Sequence, residues 1–407
     1  MSQNLKYSLL KPPSINKKNI PAALPSKGVM GIESEFKLLV NGQRKTPEKV
    51  FASPEHLMGI CKIPRADGYV SLPLGGALYF DSGVLEVATP AIELAKKSAV
   101  RAGRLLWEHV QLLRRSLDVW EQKNSKTACL EGFSAHYNIS VFPDDIKDKG
   151  TLTELTLLLS FILPIPVMML ATNRTSTGIG VRPRRNRIEV TVDFTAEPEG
   201  IITTAALIAG ITRAVLTWPN YKLSMLREHR IPVIACFNPR KHTSRQGWLA
   251  RFDSFSRNPF TANIDVQNWL VEDGSQLSIR EIAFRIAMMF RQSISYFGDY
   301  YTIDHMFRIL QGHDNSLLDL DERPQAYQDV GRVNLGTIRA TKNLRRSLYE
   351  RVMQKVVNGY KLLANSTCYE PKEILNWFEV SFYDTRSQMH TVFTLEVLAT
   401  LNSSFVK

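Results

Sequence analysis

The chain has 407 residues, 44% of them hydrophobic and 22% charged, with a formal net charge of +12. This is the composition of a soluble globular protein with a large core and no low-complexity tract, and the positive balance favours an anionic partner: a nucleotide, an acidic substrate, nucleic acid or a membrane surface. Four widely separated cysteines, Cys61, Cys129, Cys236 and Cys368, offer neither a C-x-x-C nor zinc spacing, so the expectation is reduced thiols in a cytoplasmic protein.

In chain order, residues 1–28 read as an extended leader rich in Lys and Pro, with no sustained apolar run of the secretory kind. A strand is predicted over about 29–40, ended by the turn signal Asn41-Gly42. Residues 43–75 read as irregular. Strands follow at 77–81 and 84–89, separated by Ser82-Gly83, and Pro90 leads into an amphipathic helix over about 91–122. Another strand spans Cys129 to Phe142. The stretch Leu155–Thr172 is the most membrane-like, but Pro164 and Pro166 break it, so a buried helix pair or a helix-to-strand passage in a large core is expected and no membrane association. Asn173–Arg187 reads as a Gly-, Thr- and Arg-rich loop, Ile188–Phe194 as an alternating strand and Glu199–Trp218 as a helix. Helices are predicted near 278–296, 338–365 and 390–402. Strands and helices mix without a βαβ rhythm, which implies α+β with a largely antiparallel sheet covered by helices on one face. The expected division is a leader over 1–28, a catalytic domain over 29–300 and a helical C-terminal region over 301–407.

Polar groups recur at i and i+2 on four of these strands. Glu33 and Glu35 share one face of the first, because side chains on a strand alternate with period two. Tyr79, Asp81 and Glu86 lie on the next pair, His136 and Asn138 on the fourth, and Arg187 and Glu189 on the last. Adjacent carboxylates repel unless a cation sits between them. One E-x-E also suits a solvated strand face, and one histidine a structural role. Together, on neighbouring strands, Glu33, Glu35, Glu86, His136 and Glu189 would line a bowl suited to two or three Mg²⁺ or Mn²⁺ ions. The segment Asn173–Arg187 holds Arg174, Arg182, Arg184, Arg185 and Arg187 among hydroxyls and glycines. Guanidinium forks there could cradle phosphate, or form a basic surface or nucleic-acid patch. No Walker A or G-x-G-x-x-G is present.

In this order, GIESEF, LYFDSGVLEVATP, the H-x-N of AHYNIS and NRTSTGIGVRPRRNRIEV resemble the glutamine synthetase/glutamate–cysteine ligase superfamily of carboxylate–amine ligases, over about residues 29–195. Leu78–Pro90 is most similar to the ligase and deamidase of prokaryotic ubiquitin-like protein. The resemblance implies a curved sheet forming a cradle with helices on its outer face, binding ATP and Mg²⁺ or Mn²⁺. It implies Glu33, Glu35, Glu86, His136 and Glu189 as metal ligands with Tyr79 beside them. Arg174, Arg182, Arg184, Arg187 and Asn138 would meet the nucleotide, with Arg182 and Arg187 acting in phosphoryl transfer and Asp81 as base or nucleophile. Thr191 stands where the superfamily often has an arginine, and Asn138 where it often has a second histidine.

The implied activity is ATP-dependent joining of a carboxylate to an amine of an amino acid, peptide or protein tail. The alternatives are a deamidase, hydrolase or phosphotransferase on the same scaffold, or a degenerate basic binding protein. Nucleic acid is a less favoured partner that the charge keeps open.

Overall fold

A computed structural model describes residues 28–59, 61–141, 149–242, 245–332 and 344–407; the expected leader, apart from Gly28, lies outside them. An eleven-stranded antiparallel sheet dominates. Its strands are β1 (Val29–Val40), β2 (Gln43–Lys45), β3 (Val70–Ser71), β4 (Ala77–Asp81), β5 (Val84–Ala88), β6 (Ile92–Glu93), β7 (Ala128–Ser140), β8 (Ile179–Arg184), β9 (Arg187–Asp193), β10 (Arg240–Lys241) and β11 (Trp248–Ala250). They run in the order β10-β11-β8-β9-β7-β1-β5-β4-β3, with β2 and β6 also paired to β1.

Alternation on β1 sets the two faces. Ile32, Ser34, Phe36 and Leu38 are fully buried, whereas Glu33, Glu35 and Lys37 on the other face are only partly so. The apolar side packs on the helix Ser98–Asn124, which in turn packs on Pro198–Val215. Burying such faces at roughly 25 cal/mol per Å² is the main stabilising term in this layer. Lys149–Ile162 and Pro164–Ala171 form the expected buried pair, bent by 57° at the break before Pro164. The ring of Pro164 removes an amide donor from the ladder there. Among the described residues, no single helix is long and apolar enough to cross a membrane. The four cysteines are free.

Two expectations are corrected. The loop foreseen over Asn173–Arg187 contains strand β8, because Ile179 and Val181 are drawn into the core and leave only the Arg185-Asn186 turn between β8 and β9. The C-terminal region is not helical throughout. Beyond the small two-stranded sheet of β12 (Trp269–Leu270) and β13 (Gln276–Leu277), it forms a five-stranded sheet, the second large one, of β14 (Lys361–Ala364), β15 (Thr367–Asn376), β16 (Glu379–Asp384), β17 (His390–Thr394) and β18 (Phe405–Val406). Among the described residues of the stretches read as helical near 338–365 and 390–402, α-helices occupy only Leu348–Val357 and Leu395–Thr400. Tyr349, Val352, Val356, Phe382 and Leu398 belong to a hydrophobic cluster separate from the main core.

This second module is fastened to the first by charge and by backbone. Glu350 is fully buried and pairs with Arg104 of the long helix at 3.1 Å. Glu93 accepts hydrogen bonds from the backbone N–H of Leu348 (2.5 Å) and Tyr349 (3.2 Å), so an acid satisfies the open amides of that helix start. Backbone bonds from Ala66 to Ile374 (2.9 Å) and from Ile374 to Pro64 (2.9 Å) close a third junction.

Candidate active site

The ladder of the main sheet places the predicted groups opposite one another. Glu33 pairs with His136, Glu35 with Glu86 on one side and Ser134 on the other, Tyr79 with Glu86, and Asn138 and Arg182 with Glu189. Directly opposed residues point to the same face, so all of these share the concave side. A register shift after Glu35 leaves that alignment intact over the site.

His136 stands at the centre. Its Nδ1 lies 3.4 Å from Glu33 and 3.9 Å from Glu86, and its Nε2 lies 3.7 Å from Glu35. Two sets of three ligand atoms, Glu33–His136–Glu189 and Glu35–Glu86–His136, each fall within 4.8 Å of one another. Burial and then the charge of Glu33 push the Glu86 carboxyl up to about 8. Burial would lower the His136 imidazole, but its hydrogen bond to Glu33 and the charges of Glu35, Glu33 and Glu189 outweigh this and raise it. Acids held together against repulsion, around one imidazole, fit a divalent cation with hard oxygen ligands. The Glu35–Glu86–His136 set fits best. At the other set, Glu189 already pairs with Arg182 and, at 2.8 Å, with Arg184. Burial would raise this carboxyl, but Arg182 and the Arg184 hydrogen bond hold it below the usual range.

Arg182 and Arg184 therefore do come to the bowl, as strand residues at i and i+2 rather than from a loop. Arg187 is brought there as well, donating from Nε to Asn138 at 2.7 Å. Arg174 is not: it donates to the Leu318 carbonyl at 3.1 Å and pairs with Asp321 at 3.2 Å. Tyr79 lies against Glu86, and burial followed by the charges of Glu33 and Glu86 drives its phenol far above the usual range. Asp81 is exposed at the end of β4, accepts from the Ser82 hydroxyl at 2.9 Å, and faces the same cavity as Glu35 and His136.

That cavity, of about 720 Å³, shows what sequence reasoning overlooked. Arg44, Arg245, Arg251 and Asp193 line it, with Phe133 (45% exposed) and Phe252 (52%) at its rim. Arg245 and Arg251 flank β11, remote in sequence from the other site strands, and Arg44 lies on the short return strand β2 beside β1; no local spacing announces them. Asp193 was in view at the end of an alternating strand, two residues beyond Thr191. It accepts from the backbone N–H and Nδ2 of Asn173 at 3.2 and 2.9 Å, and burial pushes it up to about 6. The bond fixes the start of the Asn173–Gly178 turn against the cavity.

No family model matches this sequence, and neither does any curated protein. Among solved structures, the complex between Prokaryotic Ubiquitin-like Protein Pup and its ligase PafA is similar with a TM-score of 0.46 and 12% identity, over 92% of each chain. The Pup ligase PafA in complex with ADP is similar with a TM-score of 0.40 and 12% identity, over 82% of this chain and 89% of that one.

Proposed function

We propose that the protein is an ATP-dependent ligase that joins a carboxylate to an amine through an acyl phosphate. The observation that supports this most is the convergence of Glu33, Glu35, Glu86 and Glu189 on His136, beside Arg182 and Arg184, on one concave face. A carboxylate is a poor electrophile, since its charge repels nucleophiles and oxide does not leave. In the proposed first step a substrate carboxylate oxygen attacks the γ-phosphorus of ATP, the bond to ADP breaks, and an acyl phosphate forms. Bound Mg²⁺ or Mn²⁺ would be held by Glu33, Glu35, Glu86, His136 and Glu189, and would neutralise charge on the transferring phosphoryl group.

Arg182 and Arg187 would orient the phosphoryl oxygens, for which Arg182 must exchange Glu189 for phosphate. In the second step the amine attacks the acyl carbon, phosphate leaves, and the amine's proton passes to a carboxylate, the role assigned in this reading to Asp81. The product is an amide or isopeptide bond. A peptide or protein tail is compatible with a cavity of about 720 Å³ open enough to expose two phenylalanines.

The closure of Arg182 and Arg184 on Glu189 favours one competing reading, a degenerate basic binding protein in which arginines have taken a cation's place. ADP release separates the two. A ligase releases ADP only when ATP, a divalent cation, a carboxylate and an amine are all present, and Glu86→Gln abolishes the release. Binding of ATP without turnover under any of these conditions would reject the ligase.

A further inference from the structure

A line of stacked side chains runs from the second module to the carboxylate cluster. Trp377, in the turn between β15 and β16, lies beneath the Arg65 guanidinium at 4.4 Å from its ring centre. The Arg65 side chain has no exposed surface, and Asp67 holds it flat through two bonds, Nε–Oδ1 at 2.9 Å and Nη2–Oδ2 at 2.6 Å. The guanidinium is also 5.8 Å from the centre of the Tyr69 ring. Tyr69 stacks on Tyr79 with centroids 3.9 Å apart and planes 13° from parallel. Tyr79 is cross-strand partner to Glu86, and the two side chains lie side by side on the same face of the sheet.

We infer that Tyr69 and Trp377 are positioning residues, and that through them the C-terminal sheet fixes the orientation in which Glu86 meets a cation. The physical case is one of rotamer freedom. A phenol packed beside a metal-ligand carboxylate restricts its orientation only if the ring itself cannot turn. Tyr79 lies on β4, next to the edge strand β3, and the Tyr69 ring packs on its face. Tyr69 itself is half-buried and follows a tight turn at Gly68, so it needs the Arg65 plane behind it, which Trp377 completes. Partners that orient a ligand typically change metal affinity by about 10- to 100-fold when removed. The inference rests on the reading of the cluster as a cation site, so its test has one arm that needs no metal.

In the first arm, hydrogen exchange is measured on the metal-free full chain. Trp377→Ala and Tyr69→Ala should speed exchange of the Ala77–Ala88 hairpin amides several-fold while the β1–β7 amides stay protected. Unchanged hairpin exchange overturns the coupling, and loss of protection throughout marks plain unfolding and overturns it equally. In the second arm, Mn²⁺ is titrated calorimetrically. Tyr69→Ala should weaken binding by about tenfold, and Tyr69→Phe, which keeps the stack, should restore it. Equal affinity in Tyr69→Ala and wild type, or failure of Tyr69→Phe to rescue, overturns the positioning role. Wild-type protein that takes up no Mn²⁺ rejects the cation site itself, whatever the exchange arm reads.

Discussion

Asp193 and Arg182 carry the most local predictions. The Asp193 carboxyl, pushed up by burial from 3.8 to about 6, binds its proton more tightly folded than unfolded. Its contribution to stability is therefore present below 3.8 and lost as pH rises through about 6. Asp193→Asn should remove this loss, so its melting temperature should gain on wild type across that window; parallel melting curves for the two proteins would contradict the assignment. Arg182→Ala should weaken ATP binding by about tenfold or more, as expected for a charge-assisted phosphate contact worth roughly 1.5–3 kcal/mol. It should also free Glu189. Calorimetric titration with ATP measures the first effect, and an unchanged affinity would remove Arg182 from the nucleotide site. Such side chains were legible in the sequence to different degrees. Glu33, Glu35, His136 and Asn138 could be read because a strand repeats every two residues and each pair lies within three positions. Arg245 and Arg251 could not, because they meet the cavity only after β11 has docked on β8, some distance back in the chain, and Arg44 sits on a three-residue strand too short to show alternation.

Among the elements, the helices Pro198–Val215 and Arg291–Phe297 pack closely at Gly210. A Cβ there would lie 2.5 Å from the Ile294 Cα and 2.7 Å from its backbone nitrogen. Alanine is favoured over glycine inside a helix by roughly 1 kcal/mol, but neither contacting atom can move without moving its helix. Overpacking of this kind costs about 1–3 kcal/mol. Gly210→Ala should therefore destabilise, as read by urea unfolding, and a more stable variant would show that the helices can part. The long helix and the strands β1, β7 and β9 were evident from their periodicity, since each extends over enough residues to separate a period of 3.6 from one of 2, and the broken pair from an apolar run interrupted by Pro164 and Pro166. The second sheet was not. Strand β14 has four residues and turns at once through Asn365 and Ser366, both at positive φ, so its alternation is too short to distinguish from the end of the helix before it. The same holds for β17, five residues running straight into a helix.

For the molecule as a whole, two cores must fold and meet. The junction depends on Glu350, which is 0% exposed and reached by both Arg104 and Arg346. Removing one partner of a buried pair typically costs about 3–5 kcal/mol, because it strands the other charge. Glu350→Ala should lose stability of that order in chemical denaturation and let the second module unfold in a separate, earlier transition. A single cooperative transition of unchanged midpoint would show that the junction is not decisive. The α+β class and the helix-backed antiparallel sheet followed from sequence, because alternation and its absence reveal which faces are apolar. How the two cores join did not, because it rests on individual ion pairs and hydrogen bonds between residues far apart in the chain, such as Arg104 and Glu350 across 246 positions.

The cross-strand register has a consequence for what the gene can tolerate. Glu33 and Glu35 alternate with Ile32, Ser34 and Phe36, so inserting or deleting one codon upstream of the Glu35 bulge would exchange the two sets. Charged groups would then face the helices and greasy ones the open bowl, and the reading would fail at both levels at once. Length variation in this segment is thus confined to pairs of residues or to the turns, and natural variants of the gene should obey that parity.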